Sequence, residues 1–519
     1  MNQNNISAAE LFLRVRELLI LPELEPKTRN KMMHDTLILC CHEGVKETKQ
    51  AFGNLFSQVD YLCKAHGIKV ADKIAIQTMR RHSNSQEPLS SEDLKYDARA
   101  LAIFISAVFE VDVPHELNVL IPHTNRPYQK GLEINNRRIR CIVKNWDSDF
   151  IRVDIDQDAD EEEYLVQLKD EENHIDHTYL WDILKEGMQL NLLDCQVKQP
   201  IITPRLIVVE PDYLVDISSI ATCFTAFGHH PLLYLLNQMK PRANTQATLL
   251  GNFAGAALDD IINTNGKYQM NETIKTNFRE KALEFCTCPW FDAKKFYTDA
   301  NQQAFNLQQV VDILFPRTAS QAQMSAFRGE SLYDRKKAIL EPSFVCEALG
   351  IQGRVDLMTT DCKLLVEQKS GRNMNIETHQ VDPGYHSYQL EPHYVQLLLY
   401  YGVLQHNFKL SNDRVNIRLL YSKYQPQDGL MVVAYYQKLF KEAIEYRNQL
   451  VAASFEIAKE GFEHALNEFT PDVLNVAGTQ DFFYNKYLKP QIEAIASPLH
   501  TLSPLEEAYF CRMMTFVLR

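Results

Sequence analysis

No run of about 18 consecutive apolar residues occurs in this chain, so no membrane-spanning helix is expected and no membrane partner is assigned. Its opening, Met1-Asn2-Gln3-Asn4-Asn5, lacks the basic-then-apolar pattern of a secretory signal, and a cytoplasmic location is the expectation. No Cys-x-x-Cys occurs; the 11 cysteines are odd in number and irregularly scattered, which argues against a disulfide framework and against structural zinc. No Gly-x-x-x-x-Gly-Lys-Ser/Thr is present, so the chain carries no P-loop motor. Positive charge is also short, the formal net charge being −13. The excess is local, however: Asp154 to Asp176 is densely acidic, whereas acids and bases nearly cancel between Arg328 and Lys423. Metal-binding carboxylates count as acidic while serving a polyanionic substrate, so nucleic acid is not excluded.

At 519 residues, 45% hydrophobic and 23% charged, the chain should fold as a multidomain α+β protein. Residues 1–122 read as a helical domain, with apolar residues at helical spacing over Ala8 to Leu19 and Ala98 to Val111, and a polar loop from Arg80 to Glu92. A docking or regulatory role is the default for this part. From 123 to 211 the pattern changes to short strands: Arg138 to Lys144 and Phe150 to Ile155 alternate with period two, followed by Tyr164 to Leu168, Gln189 to Val197 and Leu206 to Val209. These suggest a small β-barrel, of oligonucleotide-binding (OB) type. Residues 212–425 read as an α/β core, with helices over Ser218 to Met239, Gln246 to Asn263 and Pro392 to Gln405, and a strand over Val415 to Tyr421. Residues 426–519 read as helical, with a long segment from Val432 to Phe469, and the apolar end from Tyr509 to Arg519 suggests a chain that packs against something or continues, for instance into a helicase.

Chemistry concentrates at one place. Gly353-Arg354-Val355-Asp356 ends one apolar strand, and Leu364-Leu365-Val366-Glu367-Gln368-Lys369 forms the next. Residues two apart on a strand share a face, so Glu367 and Lys369 point together. Asp356 joins them if Thr360-Asp361-Cys362-Lys363 makes the hairpin turn. Asp356, Glu367 and the backbone carbonyl of Gln368 would then offer hard oxygen ligands to Mg²⁺ or Mn²⁺, which activates water and steadies charge on a phosphate. Lys369 would orient or deprotonate the water. Acidic-x-Lys alone is a weak signal, recurring at Glu25/Lys27 and Asp361/Lys363 among others; only Glu367/Lys369 lies in an apolar strand. Gln396 and Tyr400, one helical turn apart, could hold a nucleic-acid strand by hydrogen bonding and stacking.

Gly350 to Asp356, Glu367-x-Lys369 and Gln396-x-x-x-Tyr400 together resemble the RecB-type branch of the PD-(D/E)XK nuclease superfamily, and Leu249 to Gly255 resembles that branch's Gly-Asn-x-x-His helix. The resemblance covers roughly the 200 residues around the hairpin. It implies a restriction-endonuclease-like core, Asp356, Glu367 and Lys369 as catalytic residues, and Asp356, Glu367 and Gln368 as metal ligands. A small barrel ahead of the core is similar to the flap-trimming nuclease-helicases, which implies DNA repair, replication, recombination or defence and a helicase partner. Two departures stand out. Gly255 occupies the place of the family's metal-binding histidine, with Asp259 or Asp260 a turn further on as possible substitutes. The four cysteines that hold an iron–sulfur cluster in many relatives are not matched, since Cys223 precedes the core but only Cys511 lies beyond Cys362; no cluster is expected.

The expected function is therefore a Mg²⁺- or Mn²⁺-dependent deoxyribonuclease acting on single-stranded or flapped DNA. One alternative is a catalytically inactive nuclease-like scaffold that binds DNA for a helicase. Another is a hydrolase of some other phosphodiester.

Overall fold

The computed structural model describes residues 6–21, 23–85, 87–126, 132–155, 163–225, 228–240, 244–264, 267–380, 387–410, 414–476, 478, 482 and 484–518. Its N-terminal part is a packed set of helices, Ala8–Ile20, Pro26–Val45, Leu55–Ala65, Val70–Asn84 and Ser91–Phe109. The first starts with a capping box in which Ser7 and Glu10 satisfy each other's backbone N–H groups, and Ser90 with Asp93 does the same for the last. The loop expected over Arg80 to Glu92 is shorter. Ile76, Met79 and Ser83 keep one buried stripe going to the end of Val70–Asn84, and Arg80 lies over the Phe56 ring at 5.1 Å. This helical part also gives a strand away: β1 (Ala51–Phe52) pairs with a strand near residue 431 and becomes an edge of the central sheet.

Five strands close a barrel: β2 (Asn136–Trp146), β3 (Phe150–Ile155), β4 (Tyr164–Gln167), β7 (Gln189–Lys198) and β8 (Ile201–Val209). Between β4 and β7 come the short pair β5 (Lys169–Asp170) and β6 (Ile175–Asp176) and a 3₁₀ turn over Thr178–Asp182 whose Leu180 plugs the interior. Alternation drives closure: Cys141, Val143, Ile151, Val153, Leu190 and Leu192 point inward and the residues between them mostly outward. Around the barrel the order is β2-β3-β4-β8-β7, with β4 and β8 parallel and the other pairs antiparallel. Much of the acidic run, residues 156–162, lies outside the described residues; at its near end Asp154 pairs with Lys144 at 2.6 Å.

Strand β9 (Val215–Asp216) leads into the mixed α/β core. The helical stretch expected over Ser218 to Met239 is broken by a hairpin of β10 (Phe224–Thr225) and β11 (Gly228–His229), leaving helices Ile217–Ala221 and Leu233–Met239. Helices Gln246–Asn263 and Ala293–Leu314 follow, then β12 (Ala338–Leu340), β13 (Ser343–Cys346), β14 (Ile351–Arg354), β15 (Leu357–Thr359) and β16 (Leu364–Lys369). After helix Glu391–Phe408 come β17 (Asn416–Tyr421) and β18 (Leu430–Val433). The central sheet runs β1-β18-β17-β16-β15-β12, and β13-β14-β9 forms a side sheet. Thus Val432 and Val433, expected to open the long helical segment to Phe469, lie in a strand of the core, and the helix begins at Gln437 and ends at Glu460.

One buried arginine fastens barrel to core. Arg447, on the Gln437–Glu460 helix, is wholly buried and donates to the carbonyls of Gly350, Val209, Glu210 and Tyr213. Its neighbour Asn448 accepts the Val209 N–H at 3.0 Å and donates to the Ile207 carbonyl at 2.8 Å. Gly350 sits at φ +60°, and any Cβ there would collide with the Arg447 guanidinium. Among the described residues no helix is long and apolar enough to cross a membrane.

Candidate active site

Strands β15 and β16 pair antiparallel, Leu357 opposite Val366, and the connecting turn is built by Asp361, whose Oδ1 accepts the Thr359 hydroxyl at 2.8 Å. Leu364 and Val366 face the helices Gln246–Asn263 and Ala293–Leu314, while Leu365 packs toward Glu391–Phe408. Alternation therefore carries Glu367 and Lys369 to the Glu391–Phe408 side. The hairpin brings Asp356 to the same end of β16, where it is hydrogen-bonded to the main chain of Gln368. The three residues expected to act together are thus gathered at one sheet end.

Glu367 is 2% exposed. Its Oε1 accepts from Lys369 Nζ at 2.7 Å, while its Oε2 is buried with no hydrogen-bond partner among the described residues. Burial, and then the Asp356 charge, push the Glu367 carboxyl up to about 8 despite the lysine. Asp356 is also raised, chiefly by burial, with the Gln368 N–H opposing. Two largely desolvated carboxyls that resist ionising side by side are what a divalent cation relieves.

Lys369 also donates to Gln396 Oε1 at 2.9 Å, so Gln396 fixes the ammonium from above. Tyr400 is 3% exposed, and its hydroxyl donates to the Arg354 carbonyl at 2.7 Å. A Cβ at Gly353 would stand 3.0 Å from the Tyr400 ring, which explains that glycine. The expectation that Tyr400 stacks on a nucleic-acid strand is therefore corrected: its ring is enclosed and its hydroxyl is engaged, and it props the segment that presents Asp356. The Gln368 side-chain amide donates to Ser422 Oγ at 3.2 Å, away from Glu367, and its N–H serves Asp356.

Along the Gln246–Asn263 helix, Gly251, Gly255 and Asp259 fall at four-residue intervals on one flank. A Cβ at Gly251 would lie 3.2 Å from Ser370 Oγ, just beyond Lys369, whereas a Cβ at Gly255 would meet nothing within 4 Å. Asp259 is pushed up to about 6, first by burial and then by the charges of Glu341, Asp260 and Asp356. Asp260 is committed elsewhere, accepting the Thr273 hydroxyl at 2.5 Å. Of the two acids considered in place of the histidine, Asp259 is the one whose field reaches Asp356. Glu341, which sequence reasoning missed, donates its N–H to the Asp356 carbonyl at 3.0 Å and pairs its carboxylate with Arg354 at 3.0 Å. Nothing in Glu341-Pro342 signals this, because its proximity comes from the β12–β15 pairing.

Among the described residues, no three Asp, Glu, His or Cys side chains converge closely enough to cage a metal. A pair of carboxylates fits Mg²⁺ or Mn²⁺ nonetheless, since Mg²⁺ commonly binds through one or two carboxylates and keeps several waters. The partnerless Oε2 of Glu367 is the atom that fits best.

The chain matches no protein-family model and no curated protein.

What the arrangement can do chemically follows from its charges. A buried acid pair at the mouth of a strand, with a lysine held at 2.7 Å by one acid and at 2.9 Å by an amide, can bind a cation and position a water beside it.

Proposed function

We propose that this protein is a Mg²⁺- or Mn²⁺-dependent nuclease that hydrolyses phosphodiester bonds in DNA, with single-stranded or flapped DNA as substrate. The observation that carries the reading is the meeting of Asp356, Glu367 and Lys369 at one sheet end, with a buried carboxylate oxygen left without a partner. Asp356 and Glu367 would hold the cation, with the Gln368 backbone carbonyl as a further oxygen. When bound, the cation supplies Lewis-acid stabilisation of charge on the phosphate and acidifies water. Lys369 orients the attacking water, and Gln396 holds Lys369 in place. Tyr400 keeps the Arg354–Asp356 segment in register, and Lys369 and a bound cation would both favour the ionised form of Glu367 against its burial.

The hairpin inside a mixed sheet flanked by helices supports a restriction-endonuclease-like core. The barrel order, with its third and fifth strands parallel, supports an OB-type module that would guide a strand to the site. A cytoplasmic protein working with a helicase, in the same longer protein or as a separate chain, fits this assignment.

The second reading is a scaffold that binds DNA without cutting it. Gly255 and the absence of a three-donor cage among the described residues favour it. Isothermal titration with Mn²⁺ separates the two: the nuclease reading expects binding that Asp356→Asn abolishes, and a scaffold shows none that depends on Asp356.

A further inference from the structure

Away from the hairpin, a cleft of about 790 Å³ opens between the N-terminal helices, the barrel and the Gln437–Glu460 helix. Arg81 enters it from the first, Arg205 from β8, and Lys441 from the third. Among the described residues Arg205 and Lys441 form no ion pair, and Arg81 reaches only the Thr78 hydroxyl at 2.9 Å. Burial and the Arg205 charge both push the Lys441 ammonium down. Glu445, the acid whose charge Lys441 feels, is a poor counter-ion, since burial and Glu442 push it up to about 7. The acids on the cleft wall are engaged elsewhere: Asp93 with Arg126 and its own helix cap, Asp97 with His82 and Asn30, while Glu172 is solvent-exposed. Arg205 and Lys441 thus stand in a partly desolvated cleft without an ion-pair partner of their own, an arrangement that an anion bound in the cleft would stabilise.

We propose that this cleft binds the phosphate backbone of a single-stranded polynucleotide, at a site separate from Asp356 and Glu367. The cations come from three separate elements rather than converging on one point, which suits a chain of repeating phosphates better than one small anion. The anion preference rests on the charges alone, and the choice of polynucleotide rests on the proposed nuclease function.

The test is fluorescence anisotropy of the full chain with labelled oligo(dT) in EDTA, across a salt series, wild type beside Arg205→Gln/Lys441→Gln. Losing two phosphate contacts should weaken binding about tenfold or more at low salt and make the log–log salt slope shallower by about 1.4. The free double variant should melt no lower than wild type, because two partnerless charges are gone. If it melts lower, Arg205→Lys/Lys441→Arg, which keeps the charges, should retain wild-type affinity, and loss of binding there overturns the proposal. Unchanged affinity and slope in the double variant also overturn it. So does displacement of oligo(dT) by inorganic pyrophosphate in wild type but not in the variant, which would make the ligand a small phosphate. Mn²⁺-dependent cutting with unchanged binding in the variant sinks the cleft alone; slope change without any cutting sinks the nuclease reading alone.

Discussion

Asp356 Oδ2 accepts the backbone N–H of Gln368 at 2.5 Å, so the first carboxylate is tied to the strand that carries the second. The tie keeps Asp356 close to Glu367 although their charges repel, and burial together with that repulsion raises the Glu367 carboxyl.

That rise has a sign. Glu367 is raised from 4.5 to about 8 on folding, so its contribution to stability is full below the lower value and lost as pH rises through the upper one. Urea denaturation of the metal-free protein should give falling stability across that window, and Mn²⁺ should flatten the fall. Glu367→Gln should make the fall shallower and abolish the effect of Mn²⁺ on it, leaving the part that Asp259 and Glu445 contribute in the same window; an unchanged slope assigns the fall to those groups.

Lys369→Ala should lower cleavage by about 10²- to 10⁴-fold, the usual worth of a positioned proton-transfer or charge-stabilising group. Mn²⁺ affinity and DNA binding should change little, because Lys369 is neither a cation ligand nor the main anion contact. Single-turnover kinetics beside a binding isotherm checks both halves.

Tyr400→Phe should cost about 1 kcal/mol of stability through the lost hydrogen bond to the Arg354 carbonyl. DNA affinity should be unaffected. A tenfold loss of affinity at unchanged stability would restore Tyr400 to the role of strand contact.

Gly255→His should be tolerated within about 0.5 kcal/mol, since glycine is a poor helix residue and the space beside it is open. Calorimetry should show tighter Mn²⁺ binding if the flank of Gly251, Gly255 and Asp259 borders the cation position. Unchanged affinity would place that flank too far away.

Arg447→Met should cost about 3–5 kcal/mol, because it strands buried carbonyls on both barrel and core. Denaturation should then show the barrel unfolding at a lower urea concentration than in wild type, monitored beside the core.

The site was more legible than its supports. Period-two alternation puts Glu367 and Lys369 on one face, and the polar turn at Thr360 to Lys363 closes the hairpin, both local properties of a few residues. Helical spacing likewise put Gln396 and Tyr400 on one side, but spacing does not say what a side meets, and Tyr400 meets Gly353. Non-local pairings stayed hidden: Ala51–Phe52 is a strand only because β18 lies beside it, and Val432 and Val433 read as readily into the helix that follows. Arg447 and Asn448 are polar residues in a helix, which ordinarily mark a solvent face; here they answer the open carbonyls and N–H groups of a barrel end.

The most direct test is cleavage of labelled single-stranded and flapped DNA by the wild-type chain with Mn²⁺ or Mg²⁺, beside Lys369→Ala and an EDTA control. Metal-dependent cutting that the variant loses is the expected result. Intact DNA after incubation with wild type and metal, with binding retained, would contradict the nuclease account and leave the scaffold in its place.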